Sequence, residues 1–427
     1  MHFQTPKILI EFASTLEHYY QTVFPPLAPL AKNAFLSTVE TTVQKLGDGR
    51  YFVITGDIPA MWLRDSAAQL VNYIPFARDS REVREMLEGA VETQSYNVCI
   101  DPYANAFNAE PNGHGFQDIT LLNPSVWERK FEVDSLCSPV FLVWQYWKET
   151  GFTTVFSPRV HEMLHRIVGV FRQEQHHASS PYSFQRLDCP ETDTLANEGR
   201  GTPVGYTGLI WSGFRPSDDR CELGYLVPSN MMAQVAMRRA AEIASDIYHD
   251  APLAAECRAL AEEIHEGIQK YTRYVHPEYG TIYAYETDGL GRYNLMDDAN
   301  SPSLLAMPYL GFCRKDDPLY LSTRKLILSD ENPYFYQGTF AKGIGSPHTP
   351  AGYIWHISLI MQALTSTDCE EIIQCLTWIA STHANCCQMH ESFDANDPFQ
   401  FTRPWFAWAN TLLAQLMIQL MKTGFFD

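Results

Sequence analysis

The sequence has no Cys-x-x-Cys pair, no apolar run long enough to cross a membrane, no low-complexity tract and too little positive charge to balance its acids. Each gap excludes something. Ten cysteines are irregularly spaced, several within apolar helical stretches. That is how buried free thiols are used in a reducing compartment, and it argues against a disulfide framework. With 427 residues, 45% of them hydrophobic, the chain can bury a core that needs no covalent staples. No window reaches the ~18 apolar residues of a membrane span. The N-terminal stretch MHFQTPKILIEFAS breaks its apolar run at Glu11 and offers no small-residue cleavage site, so the expectation is no signal peptide and a cytoplasmic location. Lys and Arg number 31 against 50 Asp and Glu, a formal net charge of −19. Such a surface repels polyanions, so neither nucleic acid nor an anionic membrane is an expected partner. No Ser/Gly linker, charge block or fixed-period repeat divides the chain, and the expectation is one domain over residues 1–427.

Amphipathic helical patterns fill the rest. Ser80 precedes Val83, Met86, Leu87, Ala90 and Val91, and Leu253, Cys257, Leu260, Ile264 and Ile268 recur every three or four positions. Similar patterns cover 31–46, 135–149, 159–176, 229–248, 319–329, 351–365 and 371–384, with a last one after Pro404 and Trp405. Alternating strand-like runs are scarce, and Thr281–Glu286 predicts one small β-hairpin. Between the helices lie long loops (52–66, 100–134, 188–228, 293–303, 331–353 and 388–405) rich in Gly, Pro, Asn, Asp, Arg and aromatic residues. Long ordered loops are usually functional. The pattern predicts an all-α ring of helical hairpins with its loops gathered over one end; an irregular helical bundle has the same periodicity.

Three loops carry candidate chemistry. GDIPAMWLRDS (56–66) places Asp57, Arg64 and Asp65 around Trp62. An aromatic face suits the C–H face of a sugar, and carboxylates and guanidinium forks suit its hydroxyls. The plainer reading is an Arg64–Asp65 ion pair capping a helix that starts near Ser66. WSGFRPSDDRCELGY (211–225) holds Asp218 and Asp219 between Arg215 and Arg220, and on residue types alone Pro-Ser-Asp-Asp reads first as an ordinary helix N-cap. QMHESFDANDPFQFTRPW (388–405) sets Glu391 among acids, Arg403 and four aromatic rings. Its neighbours decide whether such a glutamate works as acid or base.

Two further loops contribute polar groups. YNLMDDANSPS (293–303) offers Asp297, Asp298 and Asn300, and FAKGIGSPHTPAGYIWH (340–356) offers Lys342, His348, Trp355 and His356. The Gly-Ile-Gly there lacks the Lys-Ser/Thr of a phosphate loop. A competing motif is His161-Glu162-Met163-Leu164-His165, which matches the His-Glu-x-x-His of zinc hydrolases. Val168 stands where the extended form needs glycine, and no third ligand loop follows in sequence.

Read together and in order, GDIPAMWLRDSAAQ (56–69), GFRPSDD (213–219), DDANSPSLL (297–305), KGIGSPHTP (342–350) and HESFDANDP (390–398) resemble glycoside hydrolase family 125, the bacterial exo-α-1,6-mannosidases, streptococcal and clostridial members in particular. The likeness runs from about residue 10 to the C-terminus. It implies a single (α/α)6 barrel with the pocket under the long loops. It also implies removal of non-reducing terminal α-1,6-linked mannose from glycans with inversion, using no metal and no cofactor. It puts the general acid at Asp218 and the general base at Glu391, the partner being a mannose-containing oligosaccharide such as an N-glycan fragment. Beyond the resemblance, Asp57, Trp62, Arg64 and Asp65 are expected around the terminal mannose, with Asn300, His348 and Arg403 assisting. The rival readings are an inverting α-glucosidase of glucoamylase type and a zinc hydrolase using His161, Glu162 and His165.

Overall fold

Helix-forming segments alternate between two kinds, those apolar all round and those with one apolar stripe, and this difference sorts them into two layers. A computed structural model describes residues 3–426. The helices are α1 (Lys7–Val23), α2 (Ala28–Ser37), α3 (Leu63–Leu70), α4 (Arg81–Ile100), α5 (Val133–Thr150), α6 (Pro158–Glu174), the single turn α7 (Ala196–Gly199), α8 (Val227–Asp246), α9 (Ala251–Tyr271), α10 (Pro318–Ile327), α11 (His356–Thr365), α12 (Cys369–Ser381) and α13 (Ala407–Lys422). All ten residues of α11 are buried, whereas α12 buries only four of its 13. The first therefore belongs to an inner ring and the second to an outer one. Packing runs α11–α13–α3–α5–α8 around the inside. Between α8 and α11 the ring is completed by the buried turns of 303–311, where Tyr309 donates to Gln415 of α13. Helices α4, α6, α9, α10 and α12 lie outside, with α1 and α2 against α13. This is an (α/α)6 barrel, as the resemblance implied.

Each inner helix is entered from the same end, because each follows an outer helix running back and then a long loop. The loops are not irregular. Among the described residues they hold six small antiparallel sheets of two or three strands, more β-structure than the periodicity suggested. The predicted hairpin exists as Arg273–His276 paired with Gly280–Tyr283, a few residues earlier than Thr281–Glu286. Two predicted helices are shorter than expected for the same reason. Val43–Lys45, inside the 31–46 pattern, pairs as a strand with Tyr51–Val53, and Tyr353–Trp355, inside 351–365, pairs with Ser392–Asp394. Backbone pairing across a loop outweighs local helical periodicity at both places.

Ser80, Ser157, Asp250, Asp317 and Asp368 cap their helices with side-chain oxygens. Replacing such a cap by alanine costs about 1 kcal/mol. All ten cysteines are free. No helix among the described residues is long and apolar enough to cross a membrane.

Candidate active site

A pocket of about 340 Å³ opens over the N-terminal ends of the inner helices, and every loop that enters an inner helix lends it at least one side chain. The 56–66 loop and the start of α3 supply Trp62, Arg64 and Asp65. The other loops supply Glu128 and Lys130, then Asp218, Asn300, His348 with Trp355, and finally Glu391 with Arg403.

Asp218 sits on a tight turn, not at a helix start. The Arg215 amide donates to the Asp219 carbonyl at 2.7 Å, and Asp218 takes a left-handed φ of 67°. A non-glycine residue holds that conformation only when its surroundings enforce it. Asn300 Nδ2 donates to the Pro216 carbonyl (3.0 Å), Ser217 Oγ to Asp298 (2.8 Å) and Lys130 Nζ to the Asp218 carbonyl (2.7 Å). The helix-cap reading of Pro-Ser-Asp-Asp is therefore corrected. The turn is clamped from two other loops, and nothing helical follows it. Asp297 serves the same framework, accepting from the Leu304 and Leu305 amides; burial pushes its carboxyl up to about 8.

Beneath Asp218 lies a buried carboxyl, Glu132. The two are hydrogen-bonded to each other, and Asn105 Nδ2 reaches both, at 3.2 Å from Asp218 Oδ1 and 3.4 Å from Glu132 Oε1. Two buried carboxyls bridged this closely ionise unequally, one held up and the other down. Burial, with the nearby charges of Asp218 and Asp134, holds Glu132 well above the usual range despite Arg64. Burial also acts upward on Asp218, but Lys130, Arg64, the Glu132 hydrogen bond and His348 outweigh it and leave that carboxyl low. Arg64 Nη1 lies 2.5 Å from Glu132 and 3.0 Å from Asp134 but 3.6 Å, through Nε, from Asp65. The expected Arg64–Asp65 ion pair is thus present but long, and it caps nothing because α3 starts at Leu63: Arg64 chiefly neutralises the acids below the pocket floor, while Asp65 accepts from Thr55 at 2.7 Å.

Glu391 is set by a hairpin. Ser392–Asp394 pairs with Asp397–Thr402, which brings Thr402 Oγ1 to 2.9 Å from Glu391 Oε2 and Arg403 Nη1 to 3.5 Å from Oε1. Asp57 does not line the pocket. It grips Arg403 from outside, at 2.5 Å from Nη2. His348 Nδ1 is 3.0 Å from Asp219 Oδ1. Desolvation pulls the imidazole down, but the Asp219 hydrogen bond and charge, with Glu391 and Asp218, raise it to about 9. Trp62 Nε1 and Asn300 Oδ1 are buried without a protein partner, so both remain free for hydroxyls.

Eight of the nine residues expected as acid, base or mannose contacts line this one pocket, and Asp57 stands one contact behind it. His161 and His165 line no part of it. Sequence reasoning missed Asn105, Glu128, Lys130 and Glu132. The available signal was the run Glu128 to Asp134, crowded with charge immediately before an apolar helix. A solvated face would look the same, yet these charges are buried.

Comparison with known proteins matches residues 25–418 to the family described as metal-independent alpha-mannosidase (GH125). The meiotically up-regulated gene 157 protein of Schizosaccharomyces pombe is 39% identical over 424 residues, covering 93% of this chain and 82% of that one. Relatives are thus not confined to bacteria. A Streptococcus pneumoniae metal-independent alpha mannosidase in a non-productive complex with alpha-1,6-mannobiose superposes with a TM-score of 0.96 at 42% identity, covering 98% of this chain and 99% of that one. A glucoamylase from Saccharomycopsis fibuligera, at 12% identity and a TM-score of 0.56 over 98% of this chain and 96% of that one, shares the fold alone.

Proposed function

The chain belongs to glycoside hydrolase family 125, the metal-independent alpha-mannosidases, and from that premise we propose that it is an exo-acting, inverting α-1,6-mannosidase. Asp218 donates a proton to the glycosidic oxygen. Glu391 removes a proton from a water that attacks the anomeric carbon from the opposite face. The glycosidic C–O bond breaks as the new one forms, releasing β-mannose and an alcohol that carries the donated proton. Asp218 ends ionised and Glu391 protonated, and exchange with water resets both.

The observation that carries this reading is the pairing of Asp218 with Glu132. Lys130 and Arg64 draw Asp218 toward its ionised form, while burial holds the Glu132 carboxyl toward its protonated form beside it. A bound sugar strips solvent from Asp218, which favours its neutral form and draws the proton across. Glu391 is held by Arg403 at 3.5 Å and by the Thr402 hydroxyl at 2.9 Å, which orients it as the base. Trp62 and Asn300 offer an indole N–H and an amide oxygen to the terminal mannose, and Asp65, Arg64, His348 and Arg403 complete its wall. Asp57 acts through Arg403. A pocket of about 340 Å³ suits one sugar end more than a chain threading through.

The reading takes residues 1–427 as one catalytic domain acting on mannose-containing oligosaccharides or N-glycan fragments, in the cytoplasm, with no cofactor. It is supported by the pocket geometry and by the alpha-1,6-mannobiose bound to the streptococcal relative. A panel of mannobioses and glucobioses with α-1,2, α-1,3, α-1,4 and α-1,6 linkages tests it. Cleavage of α-1,6-mannobiose alone is expected. Preferential cleavage of a glucobiose would replace the reading with a glucoamylase-type one.

A further inference from the structure

The His-Glu-x-x-His segment has no part in the pocket, yet it is not an idle match. One turn apart on α6, His161 and His165 both turn their Nε2 atoms to the same oxygen, Asp250 Oδ2, at 3.0 and 3.2 Å. The third group that the sequence did not offer nearby comes from the cap of α9, the start of another outer helix. The three candidate ligand atoms lie within 4.8 Å of one another. Around a tetrahedral zinc, with ligand bonds of about 2.0–2.2 Å, neighbouring ligand atoms are ~3.3 Å apart, near the 3.0 and 3.2 Å from each imidazole to the carboxylate.

We propose that His161, His165 and Asp250 form a binding site for a divalent late-transition metal of the Zn²⁺ class, one that staples α6 to the α8–α9 turn and takes no part in glycoside cleavage. Two imidazoles and a carboxylate are borderline ligands that suit Zn²⁺ over Mg²⁺ or Ca²⁺. Solvent reaches 53% of the His165 side chain and 31% of that of His161, so an ion can enter and water can fill the fourth position. The site is also held in shape. Tyr248 stacks on the His161 ring at 4.3 Å between centroids and anchors its own hydroxyl to the Ser157 carbonyl at 2.8 Å. Asp250 Oδ1 is committed to the Leu253 amide, which leaves Oδ2 for the histidines. Glu162, which would be the base in a zinc hydrolase, instead pairs with Arg166 at 3.2 Å. The site therefore binds without hydrolysing. Both its elements lie at the end of the barrel away from the loops, since α6 and α8 run to and from the pocket face in opposite senses.

The test is equilibrium dialysis of the EDTA-treated full-length protein against Zn²⁺ alone, with a parallel thermal melt. Variants His165→Ala and Asp250→Asn separate ligation from folding, because His165 is half exposed and asparagine caps a helix as well as aspartate does. The expected result is one zinc whose affinity falls at least tenfold in either variant, with a zinc-dependent rise in melting temperature only in the wild type. Unchanged affinity in both variants would overturn the site and leave the trio as two imidazole N–H groups donating to a carboxylate. Loss of mannoside turnover on zinc removal would overturn its separation from catalysis.

Discussion

His348 Nδ1 lies 3.0 Å from Oδ1 of Asp219 although 129 positions separate them in the chain. The two adjacent aspartates therefore have different work: Asp219 faces away and holds the imidazole, while Asp218 faces the pocket. Asp218→Asn should slow hydrolysis of an α-1,6-linked disaccharide by on the order of 10²–10⁴ but spare α-mannosyl fluoride, whose leaving group needs no proton. Glu391→Gln should cripple both substrates. Asp219→Asn should weaken both equally. Steady-state kinetics on the two substrates decides, and leaving-group dependence in Asp219→Asn would move the acid by one residue.

The same contact has a consequence for stability. Folding raises the His348 imidazole from 6.5 to about 9, so the folded state holds a proton that the unfolded state releases between those values. The pair's full contribution is present below about 6.5 and is lost as the pH climbs through 9. Solvent reaches 34% of the side chain and screens the pair, so the effect is modest. Denaturant midpoints of wild type and His348→Gln should differ most near pH 6 and converge above pH 9. A gap that widens with pH would contradict this.

Glu132→Gln removes the carboxyl that burial holds toward its protonated form, while keeping the side chain's size. An amide N–H would then donate to Asp218 and hold it ionised. The α-1,6 disaccharide should suffer by about tenfold or more and α-mannosyl fluoride far less, with the acid limb of the pH profile displaced. Equal losses on both substrates would mean that Glu132 only supports Arg64.

In the proposed function Asp57 acts only through Arg403, whose guanidinium it holds. Asp57→Ala should raise KM by no more than about fivefold, the scale of one exposed ion pair. Adding it to Arg403→Ala should change little further, and additive losses in that double-mutant cycle would mean that Asp57 meets substrate directly.

Helical periodicity read the outer layer well: Ser80 and Val83 to Val91 foretold α4, and Leu253 to Ile268 foretold α9. It also read the inner helices α5, α8, α11 and α13, and it failed where local pattern is overruled: Val43–Lys45 leaves its helical pattern to pair with Tyr51–Val53. That Asp218 and Glu391 share one pocket was legible only through the family likeness, because the fold alone joins their loops. Glu132 was not legible at all, since its importance comes from an Asn105 contact and a hydrogen bond across the chain to Asp218. The third partner of His161 and His165 was hidden for the same reason.

One further geometric expectation accompanies inversion: the carboxyl groups of Asp218 and Glu391 should stand about 6.5–9.5 Å apart in a sugar complex, with room for a water, where ~5 Å would mark a retaining enzyme. The most direct measurement is the proton NMR spectrum of α-1,6-mannobiose in the first minutes of hydrolysis, before the released sugar mutarotates. β-Mannose is expected first and α-mannose only later. Initial release of α-mannose, or no release from this disaccharide, would contradict it.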